Sequence, residues 1–596
     1  MAAVSFGVQS LMYNTYYQEE LTFLREMGRE FAAAHPKVAH MLESAGSDPD
    51  VERLLQGVAF LTGRVRQKVD DELPELFQAM MSLMWPHYLR PVPSTGILAF
   101  APIVEQLSGL ITVPRGTEVE SIPVDGTACR FRTCFDVELA PLELERAELE
   151  LPMGSDARLR LVLRAAGKVP LERMMLRSLR FFLAGDPVQA SNLYLWLMRY
   201  GRYIELRNPA SERSIRVSAS NMRAGGFREQ EAILPYAPHS FVGYRLLQEY
   251  FTCPAKFLFI DFQGLGQLAT LGLTDRFEIL VPFSRRPEDT LRVDRDSLRL
   301  FCTPIVNLFA HTADGIRVDH RRTQYRVRPS SGGRPPEHYE IYSIDRVVGL
   351  VQGEAERRVY PPLQAFQHAV GDTRGGIYHQ TRLLDAVAGE GTDTYVSFVS
   401  AEEKLVVPPT ETISIDLTAS NRNLASRLKV GDVRVATATS PEFARFRNIT
   451  PISRSLRPPL GRGLHWRLIS HLSLNYLSLR SVEALRGILE LYNYQALYDR
   501  QAARENVLRL EGLVSLEARP VERLIRGAPV RGMQISMEMN EDNFAGEGDM
   551  YVFATVLNEF FALYSSMNSF TELHVRGTRY GEVHQWPPRL GQQSIL

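Results

Sequence analysis

Residues 74–102, PELFQAMMSLMWPHYLRPVPSTGILAFAP, change their apolar period part-way along. Up to Trp85 the side chains of Leu76, Phe77, Met80, Met81, Leu83, Met84 and Trp85 point nearly all round a helix, so this helix needs cover on every side. After PVPSTG the spacing becomes two, and ILAFAPI opens a long series of strand-like runs. The switch predicts an α+β, multidomain chain with a helical N-terminal segment followed by a β-rich middle.

Working back from that switch, Asp48 and Pro49 read as the N-cap and first position of a helix running to Leu73, with a further helix starting at Pro74. Its main stripe is Val51, Leu54, Leu55, Val58, Leu61, Val65 and Val69, and Phe60 lies about half a turn away on a second apolar face. Nearer the N-terminus Tyr17, Leu21, Leu24, Gly28 and Phe31 follow a heptad-like 4, 3, 4, 3 spacing, stopped by Pro36. Three helices of one chain seldom enclose a helix that is apolar all round. The cover is expected from another polypeptide in an intermolecular bundle, or else from this chain's own later domains.

Working forward, runs such as LITVPRGTEVESIPV, RLRLVLRA, KFLFIDFQGL and RFEILVPF suit sandwich or barrel-like modules, interrupted by one helix-like run, VQASNLYLWLMRY. RPSSGGRPPEHY at 328–339 reads as a linker. Towards the C-terminus a helix capped by Ser481 and a helix after Asp549, the latter between the strand candidates QISMEM and FTELHVR, predict a small α/β domain. The expected division is 1–95 helical, 96–327 β-rich, 328–455 a second β-rich module, and 456–596 α/β.

With 596 residues and a formal charge of −1, the chain has no concentrated basic field to attract nucleic acid or anionic lipid. Only six of its 68 basic residues are lysines, and arginine suits interfaces, although codon bias has the same effect. Four cysteines without a paired C-x-x-C suit a reducing compartment. No stretch has the roughly 20 apolar residues that span a bilayer, and the N-terminus lacks a signal-like run, so a cytoplasmic protein without direct membrane insertion is expected.

The densest concentration of reactive side chains is CTPIVNLFAHTADGIRVDHRRTQYRVR, residues 302–328. A hydrolase or metal-dependent enzyme would draw on Cys302, His311 and His320, with Asp319 as a further ligand. Yet no H-x-x-x-H or H-E-x-x-H spacing supports a metal, and a lone cysteine in an apolar run is usually core. Ile316 and Val318 have one strand parity and Tyr325 and Val327 the other, so a bulge or bend is expected at DHRRT. Asp314, Arg317, Asp319, Arg321, Arg322 and Arg326 then read as a charge-paired surface, solvated or partner-facing. His465 and His471 lack ligand spacing, and EDNFAGEGDMY lacks the alternating oxygens of a calcium loop. No nucleophile elbow or phosphate loop is present. No cofactor is expected.

Several long stretches carry a family resemblance instead: YYQEELTFLREMGREFAAAHPK, DPDVERLLQGVAFLTGRV, MMSLMWPHYLRPVPS, ILPYAPHSFVGYRLLQEYFTCPAKFLFID, CTPIVNLFAHTADGIRVDHRRTQYRV, HWRLISHLSLNYLSL and FFALYSSMNSFTELHV. In this order they resemble the TssF (VasA/ImpG) family of type VI secretion baseplate subunits, which is similar to wedge proteins of contractile phage baseplates. The resemblance covers residues 16 to 575; Ser420 stands where the family pattern has a cysteine. It implies a structural, non-enzymatic subunit, with a second TssF copy, TssG, TssK and TssE as wedge partners. The wedges would surround the VgrG hub and Hcp tube beneath the sheath, docked at the inner-membrane complex. Residues expected at the partner interface are Tyr17, Leu21, Leu24, Phe31, Phe60 and Phe77, together with Met81, Trp85, Arg321, Arg322, Phe560 and Phe561.

Overall fold

The computed structural model describes residues 17–31 and 49–591, apart from 29, 108, 168, 212, 237–239, 274, 288–290, 319–321, 352–356, 364–376, 387–390, 401–410, 461–480 and 526. Among the described residues the α-helices are α1 (17–28), α2 (Pro49–Met84), α3 (Pro187–Leu195), α4 (Val242–Thr252), α5 (Val482–Tyr492), α6 (Arg500–Glu511) and α7 (Glu547–Tyr564). The break expected between Leu73 and Pro74 is absent: α2 continues through Pro74 for 36 residues, about 54 Å at 1.5 Å per residue. An internal proline removes one backbone bond at a cost of about 3 kcal/mol. Buried contacts of Met81 and Trp85 beyond it offset that cost. α4 has no counterpart in the sequence reading, because its aromatic-rich VGYRLLQEYFT begins without a side-chain cap.

Strands begin at Thr95. Antiparallel pairing orders six of them as Val433–Ala436, Glu118–Ser121, Arg130–Thr133, Cys302–Val306, Thr95–Pro102 and Ala444–Asn448. The two ends of this sheet approach one another, with Gly431 N–H donating to the Asn448 carbonyl at 3.0 Å and Val433 N–H to Asn448 Oδ1 at 3.0 Å. The curl is that of a nearly closed barrel. Beside it lie a five-stranded sheet ordered Ser214–Ser218, Tyr203–Arg207, Arg276–Pro282, Arg158–Ala165, Leu142–Glu150, and a four-stranded one ordered Met222–Ala224, Phe259–Gln263, Ser178–Leu183, Leu298–Leu300.

The expected boundary at 327/328 does not separate these sheets. Strands at 433–436 and 444–448 return from the later segment to complete the first one, leaving the intervening sheets built on Glu340–Val351, Ile377–Asp385, Thr392–Ser400 and Glu411–Ser420 with their own apolar cluster. Such long-range returns leave no local trace in sequence, since each strand carries only its own alternation.

The β-α-β order expected near the C-terminus is present. Ala528–Met539 and Phe570–Gly577 pair in parallel, with α7 as the crossover, the connection that parallel neighbours require. Ser481 caps α5 by accepting from Ala484 N–H at 3.3 Å. α7 is buried from Met550 to Ala562 except at Glu559, because α3 and α4 pack against it along with strand 570–577. A continuous core therefore runs from Met81 through the middle sheets to Trp586.

Candidate assembly surface

α1 and α2 leave much of their apolar surface open to solvent. Leu54, Phe60, Leu61 and Val65 are 69%, 51%, 64% and 63% exposed, and Phe23, Met27, Phe31, Val58 and Leu83 are exposed as well. Leu21 and Ala59 are buried and Arg25 forms an ion pair with Glu52, which sets α1 against α2. Leu54, Val58, Leu61 and Val65 of the main α2 stripe are thus exposed, as is Phe60 on the opposite face, whereas Val51 and Leu55 of the stripe are half-buried. Contiguous apolar area of this kind marks an interaction site in soluble proteins.

The base of α2 is held in the body. Met81 is fully buried and Trp85 nearly so. Gln78 donates from Nε2 to the Leu383 carbonyl at 3.0 Å and accepts from Leu383 N–H at 3.2 Å. Ser240 Oγ donates to the Met84 carbonyl at 3.3 Å. Just beyond, the hydroxyls of Tyr236 and Tyr492 lie 2.9 and 3.2 Å from His87 Nε2, and Tyr494 O–H donates to the Tyr88 carbonyl at 3.2 Å. Tyr244 stacks on Tyr492 with centroids 5.2 Å apart, and burial pushes the Tyr492 hydroxyl pKa well above its ordinary value. The lower end of α2 is thus locked to both the middle and the C-terminal elements, and its upper part projects.

The expected interface residues therefore divide. Phe31 and Phe60 are exposed on the projecting helices, Arg322 is exposed between two strands, and Tyr17, Leu24 and Phe77 are half-buried. Leu21, Met81, Trp85, Phe560 and Phe561 are buried within this chain. The last two lie beneath α4, where the Phe241 ring meets Phe560 at 6.0 Å. Apolar periodicity marks a face for burial without saying which chain buries it. Arg321 lies outside the described residues. Exposed Leu54, Leu61, Phe23 and Met27 extend the surface; Leu54 and Leu61 already stood on the α2 stripe.

The enzymatic alternative finds little to build on. Cys302 is buried in strand Cys302–Val306 with its Sγ donating to the Leu300 carbonyl at 3.4 Å, and burial pushes its thiol pKa far above the ordinary range. Such a thiol does not supply thiolate. His311 Nε2 lies 2.7 Å from the Ser330 carbonyl, and its ring stacks on Tyr339 at 5.1 Å. Asp319 and His320 lie outside the described residues, as do His465 and His471. Among the described residues no group of three or more His, Cys, Asp or Glu is placed to hold a metal.

The parity slip around DHRRT has a different origin from a bulge. Ile316–Val318 pairs with strand Glu411–Ser420, and Tyr325–Val327 pairs with Thr392–Ser400 of another sheet. The chain changes sheets there, and Arg326 is paired with Asp393 at 2.5 Å on the far side. No described helix is long and apolar enough to cross a membrane.

Comparison with known proteins gives this surface its context. The family model described as "Type VI secretion system, TssF" matches residues 11–593. Type VI secretion system component TssF1 of Pseudomonas aeruginosa is 32% identical, over 98% of this chain and 99% of the relative. A chain of the type VI TssK-TssF-TssG baseplate subcomplex superimposes with a TM-score of 0.76 at 31% identity, covering 90% of this chain and 98% of that one. A chain of the type VI baseplate complex does so with a TM-score of 0.60 at 29% identity, covering 98% and 100%. The chain belongs to the TssF family, whose members are structural components of the type VI secretion baseplate and not enzymes.

Proposed function

We propose that this chain is a wedge subunit of a type VI baseplate and that α1 and α2 enter an intermolecular helical bundle with a second copy of the chain and one TssG. The observation that carries the reading is the exposed apolar surface around Phe60 on a helix whose base is locked into the body. A rigid mount with an uncovered end suits a subunit that must hold partners in fixed geometry. Similarity to a chain of a TssK-TssF-TssG subcomplex supports TssG and TssK as partners.

TssE completes the wedge in this reading. Wedges surround the VgrG hub and the base of the Hcp tube, forming the platform for sheath assembly on the cytoplasmic side of the inner-membrane complex. The segment 1–95 supplies the bundle, and the elements beyond 456 supply a further contact region. In this reading exposed Arg322 contributes a secondary contact, as Arg321 is expected to from the sequence.

The test is Phe60→Asp in the full chain, co-expressed with TssG. A charge placed in a face meant for burial costs several kcal/mol once the bundle closes, on the order of 3 or more. The variant is expected to keep the wild-type circular dichroism and lose co-purifying TssG. An undiminished complex would contradict the reading.

A further inference from the structure

Away from the helices, three sheet edges meet at a cleft of about 420 Å³. Strand Ala444–Asn448 ends the pairing order of the six-stranded sheet, Leu298–Leu300 that of the four-stranded one, and Leu142–Glu150 that of the five-stranded one. The floor is apolar, offered by Ala99, Ala101, Pro102, Leu300 and Ile449, which are exposed or half-buried, above buried Phe100, Leu298, Phe301 and Phe446. Phe301 adopts a φ of 58°, unusual for a bulky residue, and its carbonyl accepts from Phe100 N–H at 2.9 Å. The strained residue is thereby held at the wall of the cleft.

The rim is cationic. Arg445 and Arg447 are exposed at alternate positions of their strand, and Arg295 and Arg299 line the cleft from the turn leading into Leu298–Leu300. Glu143 is the one carboxylate on this lining, and it is already paired with Arg164 at 3.0 Å. Arg299 is paired with Asp296 at 2.9 Å. Arg295, Arg445 and Arg447 have no ion pair or hydrogen bond among the described residues. The neighbouring sheet is different: Arg160 there contacts Glu278 at 2.6 Å and both Glu148 and Glu150 at 3.2 Å. Three exposed guanidinium groups without a carboxylate partner among the described residues therefore line one cleft, and complement an anionic ligand.

We propose that this cleft binds an extended acidic segment of a partner polypeptide, with carboxylates on Arg445 and Arg447 and apolar side chains on the floor. Residues two apart on a strand stand about 6.8 Å apart, and an extended peptide presents every second side chain at the same repeat. A carboxylate at each alternate position therefore meets one guanidinium in register, in the planar geometry that arginine favours. A small free anion would leave the apolar floor unused. Nucleic acid would need stacking rings, whereas Phe100 and Phe446 are buried. The inference is independent of the baseplate reading, since the cleft is formed by the chain alone.

The test is fluorescence anisotropy of the full chain with a labelled eight-residue peptide alternating Asp and Leu. Binding is expected, weakening as salt rises. It should fall about tenfold in R445E/R447E, fall less in R445Q/R447Q, and stay at the wild-type level in R500E, a reversal at an exposed site elsewhere. Circular dichroism identifies a variant that has lost its fold, and the glutamine pair then decides. Equal binding of a Lys-Leu peptide, equal binding of a thymidine oligonucleotide, or undiminished binding by both double variants would overturn the proposal.

Discussion

Replacing Lys256 by Met should loosen the seat of α2 from a distance. Glu249 is fully buried and accepts from Ile233 N–H at 2.8 Å and Leu234 N–H at 2.9 Å through Oε1, with Lys256 Nζ paired to Oε2. Lys256 is itself 1% exposed. Removing the ammonium leaves a buried carboxylate with two backbone donors and the Arg245 Nε 3.9 Å away. Breaking a buried pair costs about 3–5 kcal/mol, and the residual Arg245 attraction places this case near the lower figure. The loop held by Glu249 continues to Tyr236, whose hydroxyl contacts His87. Amide hydrogen exchange at Ile233 and Leu234 should accelerate on the order of a hundredfold. Pairing Lys256→Met with Glu249→Gln removes the orphaned charge and keeps an acceptor for the amides, so most of the protection should return. Wild-type exchange in the single variant, or additive losses in the double, would refute the argument.

Other consequences are simpler to check. A Cβ at Gly548 would strike the backbone of Ser191 and Asn192, so Gly548→Ala should push α7 from α3 and cost about 1–3 kcal/mol, visible as a lower melting temperature. Burial lowers the pKa of His379, whose Nδ1 lies 2.8 Å from the Tyr360 carbonyl. The folded state therefore favours neutral imidazole, and the stability it contributes is full above the unfolded value of 6.5 and lost as pH falls through the folded one. The protection factor of strand Ile377–Asp385, which is the exchange rate of an unstructured amide at the same pH relative to its own, should be lower at acid than at neutral pH, and His379→Gln should flatten that dependence. All four cysteines are buried, and the Cys129 thiol is pushed up to about 12 by burial; a thiol reagent should titrate none of them until denaturant is added.

Local chemistry made some of this structure legible in the sequence. Ser481 announces α5 because its hydroxyl satisfies an orphan N–H. The apolar run after Asp549, between two strand candidates, announces the helix α7. What stayed hidden depends on contacts between distant segments. Phe560 and Phe561 look the same whether α4 or a second chain covers them, and the return of 444–448 to the strand at 95–102 follows no local signal. Pro74 reads as a helix start, since its cost is offset only by packing further along. The candidate surface was partly legible: Phe60 stood out by its angle on the helix, whereas Met81 and Trp85, on equally apolar positions, turned out to belong to the body.

The most direct measurement is the light-scattering mass of the purified 67.5 kDa chain, alone and after co-expression with TssG. A complex holding two copies of the chain for each TssG, disrupted by Phe60→Asp, is the expected result. A stable monomer that leaves TssG unbound while α1 and α2 remain helical would contradict the central claim that their exposed apolar surface is built for assembly.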